Sequence, residues 1–127
     1  MHRAAVVVGG LRAASGISFL IAPEAAQRLW SEREATDPTA RLLLRSMGYR
    51  DALIGGGLLW AGLRDAPSVG NWFLASAGAD GADFVGGLAN KDDLSGRDHV
   101  RGIGGAAVGI AVGLGGWVDG RRARRTP

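Results

Sequence analysis

The sequence predicts an all-α protein, an antiparallel four-helix transmembrane bundle. Two observations point there. Four apolar runs, at 4–22, 46–63, 70–89 and 100–118, each have about the length that crosses a bilayer. Charged residues sit mostly between these runs, and Pro23, Pro38 and Pro67 punctuate the joins. A chain of 127 residues makes one domain, with helices expected at about 4–22, 40–63, 70–89 and 100–118 and a basic tail at 119–127.

Composition alone is ordinary. Hydrophobic residues are 46% of the chain, and the mean hydropathy of +0.08 is low for a membrane protein. The 22 glycines explain part of this, because Gly adds little hydropathy yet is common in transmembrane helices. Buried core helices of a soluble bundle would carry runs of similar length, and that is the competing class. There is no Cys, and His2 and His99 lie outside the apolar runs. No thiolate or His-based metal site is expected, and no cofactor.

The first run, AAVVVGGLRAASGISFLIA, carries Arg12 near its middle. A signal peptide would have a similar apolar stretch after Arg3, but Arg12 breaks it and no small-x-small cleavage site follows, so a retained helix is expected. Pro23 stops it. The polar segment 24–40 contains Ala25, Ala26, Leu29 and Trp30, which fit one side of a short surface helix with Trp30 at a membrane interface. Asp37 or Thr39 would cap the next helix.

The second helix carries Arg41, Arg45, Arg50 and Asp51, then Gly55, Gly56 and Gly57. Three glycines in a row would each cost roughly 1 kcal/mol against Ala in water. In lipid they allow close helix contact. The third run places Asp80 and Asp83 three apart, on one face with Ser76 and Gly87, and sets Gly78, Ala82 and Gly86 on another. The fourth has Gly105, Gly109 and Gly113 in a GxxxGxxxG row, an expected packing or homo-oligomer surface. Its Gly102–Ala107 stretch loosely matches a dinucleotide loop, but no strand precedes it and it is set aside.

Arg121, Arg122, Arg124 and Arg125 follow the last run directly. In that position a cytoplasmic stop with anionic-lipid contact is expected, not nucleic-acid binding, since no aromatic residues alternate with them. An even number of spans then puts both termini in the cytoplasm, in a bacterial inner membrane. Against this orientation count Arg28, Arg33, Lys91 and Arg97 in the outer loops.

At 1.5 Å of rise per residue, Arg12, Arg50, Asp51, Asp80, Asp83 and Arg101 all fall within one half of such a bundle. Charge at that depth is expensive and calls for partners. One reading is a structural ion network that fixes helix register. The other is a polar pocket for a small lipophilic molecule. In it Asp80, Asp83 and Asp51 are the candidate acid–base residues, and Arg12, Arg50, Arg101, Arg45 and Tyr49 the candidate ligand contacts. Tyr49 fits equally an interfacial anchor.

The pattern Leu11-Arg12, Ser15-Gly16, Ala22-Pro23-Glu24, then Arg45-x-x-Gly48-x-Arg50-Asp51-x-x-x-Gly55, then Ala79-Asp80-x-x-Asp83 resembles a family of small bacterial four-helix membrane proteins of unknown function, related to the DoxX-like proteins. The resemblance spans most of the chain. It implies a membrane location and four helices, and it supplies no activity. Some DoxX relatives are linked to redox or stress functions, for which no redox residue is present here. The functions expected are therefore ligand binding with possible isomerisation, cyclisation or hydrolysis by acid–base chemistry, or a non-catalytic accessory role. A proton- or ion-coupled carrier is disfavoured by the small pathway four helices provide.

Overall fold

A computed structural model describes residues 1–31, 37–90, 92 and 96–123, without the side chains of Arg97 and His99. Arg33, Thr36, Lys91, Arg124 and Arg125 lie outside the described residues. Among the described residues the chain is all-helical, in the order α1 (Arg3–Ile21), α2 (Pro23–Trp30), α3 (Pro38–Arg64), α4 (Val69–Ala89), a short helical turn Gly96–Asp98, a π-helical segment His99–Gly104, and α5 (Gly105–Ala123).

Local chemistry sets the ends. The Ala5 N–H donates to Nδ1 of His2 at 3.3 Å and opens α1. Pro23 stops α1 but also starts α2, because a missing N–H is no loss in the first helical turn. Of the apolar side expected for α2, Ala26 is buried, whereas Leu29 and Trp30 are exposed. Asp37 Oδ1 accepts the Ala40 N–H at 2.9 Å and caps α3. At the far end of α3, Asp65 adopts a left-handed conformation with φ of 52°, and its N–H bonds back to the Gly62 carbonyl. Helical structure continues to Ala123, past the expected end at 118. Arg121 and Arg122 therefore belong to the last turn of α5, where cations face the negative end of the helix dipole.

The helices pair antiparallel. α1 lies along α3 with glycines at the contact: a Cβ on Gly16 would meet the Ala52 backbone, and one on Gly55 would meet the backbone of Arg12 and Ala13. α4 lies along α5, with Gly113 against Ala77 and Phe73 and Gly120 against Gly70. Contacts between α3 and α4 join the two pairs.

Ala5, Leu58, Ala61, Val69 and Phe73 form the core, with Val8, Ala66, Trp72 and Trp117 packed on it. This core sits at the end of the molecule shared by the start of α1, the end of α3, the start of α4 and the end of α5. The opposite end is open. Among the described residues, the stretches Arg3–Ile21 and Val100–Ala123 are long and apolar enough to cross a membrane.

Candidate functional site

The site lies where the packed end gives way to the open one. Arg12 is at the middle of α1. Asp51 comes one turn before Gly55 on α3, and Asp80 two turns after Phe73 on α4. Close α1–α3 approach at the glycines and the α3–α4 contact bring the three side chains together. Nη1 of Arg12 donates to both Asp80 oxygens and to the Ser76 hydroxyl, each at 2.9 Å. Nη2 of Arg12 donates to Asp51 Oδ1 at 2.9 Å. Arg50 continues the chain. Its Nε donates to Asp51 Oδ1 at 3.3 Å, and Nη1 and Nη2 form a fork on Asp83 at 3.0 and 2.8 Å.

The order is thus Asp80–Arg12–Asp51–Arg50–Asp83, three carboxylates on two guanidiniums. Burial is graded along it. The side chains of Arg12, Asp80 and Asp51 are 13%, 14% and 17% exposed, those of Arg50 and Asp83 32% and 42%. The Arg12 Nε is buried with no acceptor among the described residues.

This ion chain floors a cleft of about 520 Å³. Asp51, Asp80 and Asp83 line one side, and Phe19, Trp30, Leu44, Met47 and Ile103 supply an apolar wall. Across the mouth, Nη1 of Arg101 donates to the Leu29 carbonyl at 2.9 Å, which ties the π-helical segment to the end of α2. An Arg41–Glu24 ion pair at 2.9 Å ties α2 to α3.

No family model matches the chain, and neither does any curated protein or solved structure.

Five of the eight candidate residues converge: Asp51, Asp80, Asp83, Arg12 and Arg50. Arg101 lines the cleft but bonds a backbone carbonyl instead of joining the chain of carboxylates. The expected balance of three arginines with three aspartates is therefore two with three. Arg45 and Tyr49 are exposed and outside the cleft lining. Arg12 and Arg50 also fall outside that lining, since their donors turn to the carboxylates. Gly109 faces the Asp80 carboxylate and Gly113 faces α4, so both belong to packing within the chain. Among the described residues, no three His, Asp or Glu side chains converge in a way that holds a metal ion.

The cleft wall was not legible residue by residue. Ser15 and Phe19 are four apart, Leu44 and Met47 three apart, so each pair shares a helix face, but the same spacing serves any core. Asp98, placed by the sequence in a polar loop, is buried and lines the cleft.

Proposed function

We propose that this chain is an integral four-helix protein of the bacterial inner membrane, with both termini cytoplasmic, that binds a small lipophilic molecule in the cleft. One observation carries the reading: a cleft of about 520 Å³ that combines an apolar wall of Phe19, Trp30, Leu44, Met47 and Ile103 with Asp51, Asp80 and Asp83 at its floor. Pockets of this kind, mostly apolar with a few converging polar groups, suit small organic ligands. The membrane reading draws on the two apolar helices and on the relationship to DoxX-like proteins proposed from the Arg-Asp-x-x-x-Gly and Asp-x-x-Asp elements. Within the cleft, Asp83 is the carboxylate proposed to act as the base, because it is the most exposed of the three floor carboxylates. An isomerisation needs no more than one such base that returns the proton to a second carbon.

The test is ligand retention. The protein is purified from membranes in neutral detergent and extracted, and the extract is compared by mass spectrometry with that of Met47→Trp, which fills the cleft. A lipophilic species present with the wild type and absent with the folded variant supports binding. Identical extracts sink it.

A second reading has its own observation. Asp51, Asp80 and Asp83 each already hold a guanidinium, as expected of an accessory protein whose ion network fixes helix register. Under that reading Asp83→Asn changes neither the extract nor any turnover.

A further inference from the structure

The following inference rests on the cleft being a ligand site, and it names the ligand's headgroup. Among the described residues, the cleft is lined by Asp51, Asp80, Asp83 and Asp98 but by only one cation, Arg101. Arg12 and Arg50 stand behind the carboxylates, outside the lining. On the Asp51–Asp80–Asp83 floor an anionic headgroup would therefore meet carboxylate oxygens, with Arg101 the one guanidinium among the described lining residues.

The acceptors are not used up. Both hydrogen bonds to Asp51 fall on Oδ1. Its Oδ2 accepts none among the described residues, and it is not a buried atom, so on a cleft-lining residue it remains open to a donor. Each carboxylate has about four lone-pair sites, so Asp80 and Asp83 also keep capacity beyond their arginine bonds.

Charge points the same way. Among the described residues, three carboxylates on two guanidiniums leave one negative charge, and including Asp98 and Arg101 leaves that count unchanged. An uncompensated charge beside an apolar wall is costly, and a monocation would neutralise it. Trp30 and Phe19 also line the cleft, and aromatic rings attract cations.

We propose that the cleft takes a lipophilic amine in its protonated form, the ammonium on the Asp51–Asp83 floor and the apolar body along Phe19, Trp30, Leu44 and Met47. An ammonium has only donors, which complements a floor that presents only acceptors.

Three probes of one chain length test this: dodecylamine, dodecanol and dodecanoate. Each is titrated onto the full chain in phosphatidylcholine nanodiscs, with empty nanodiscs subtracted. At neutral pH the amine is protonated. Dodecylamine is expected to bind roughly tenfold tighter than dodecanol, the margin of a charge-assisted hydrogen bond. Asp51→Asn should erase that margin, so that the variant binds amine and alcohol alike. If Asp51→Asn does not fold, Asp83→Asn, nearer the surface, should narrow the margin in its place. Equal binding of amine and alcohol overturns the cation assignment but keeps the cleft as a lipophile site. Tighter dodecanoate overturns it outright. No binding of any probe above empty nanodiscs overturns both readings.

Discussion

Arg12 donates to Asp51 across the α1–α3 contact at 2.9 Å, over 39 residues of sequence. The same guanidinium reaches Asp80 on α4, so one side chain joins three helices. The contact sits between two close backbone approaches, Gly9 to Gly55 on one side and Gly16 to Ala52 on the other. The glycines set the distance between the helices, and the charge sets their register.

Removing that guanidinium should be severe. In Arg12→Met, Asp51 loses its better-buried partner and Asp80 loses its guanidinium partner, in a largely buried site. Breaking a buried pair from one side costs about 3–5 kcal/mol. Thermal unfolding of the detergent-solubilised protein reads the loss. Arg12→Met combined with Asp51→Asn and Asp80→Asn should recover part of it, because no unpaired charge then remains. A triple variant as unstable as the single one would show that Arg12 acts by packing instead.

The outer end of the ion chain should behave differently. Arg50 and Asp83 are 32% and 42% exposed. Solvent screens such a pair, so Asp83→Asn should cost less than about 1 kcal/mol in the same unfolding experiment. A loss matching that of Arg12→Met would mean that Asp83 is a structural member of the network, and the acid–base role proposed for it would fall.

The all-helical class was legible because the apolar runs are long and Pro and Gly mark their ends. The ion chain was legible as a group, since 1.5 Å per residue puts its members at one depth, with Ser76 on the same face as Asp80 and Asp83. Its pairing was not. Which guanidinium meets which carboxylate depends on helix rotation and on the α1–α3 separation, both set by glycines whose partners are remote in sequence. Arg101 shows the limit. It lines the same cleft as the three aspartates, but within the π-helical segment it bonds the Leu29 carbonyl. A π turn changes the angular position of every later residue, and no spacing in the sequence announces one.

The glycines divide into two kinds, and alanine should separate them. A Cβ at Gly16 would press on the Ala52 and Gly48 backbones, and backbone cannot swing aside as a side chain can. At Gly56, in the same helix as Gly48, a Cβ would meet nothing within 4 Å. Gly16→Ala should therefore spread α1 from α3, break the Arg12–Asp51 contact, and destabilise the protein. Gly56→Ala should be neutral or stabilising by up to roughly 1 kcal/mol, the helix-propensity gain. Comparable losses from both would contradict the glycine-mediated α1–α3 contact.

The proposed membrane orientation makes a separate prediction, and the absence of cysteine makes it simple to check. Asp92 follows α4 and Ala123 ends α5, and antiparallel packing of these helices puts the two residues at opposite ends of the molecule. Both are exposed, so a single cysteine at either position is accessible to reagent. With the termini in the cytoplasm, a membrane-impermeant maleimide added to intact cells should label Asp92→Cys. Ala123→Cys should label only after permeabilisation. The basic last turn, Arg121 and Arg122, favours this sense, because cations accumulate on the cytoplasmic side. The reverse pattern would invert the bundle and turn the cleft toward the cytoplasm. Protection of both positions in intact cells, with equal labelling after lysis and a chain that stays in solution without detergent, would remove the membrane reading altogether.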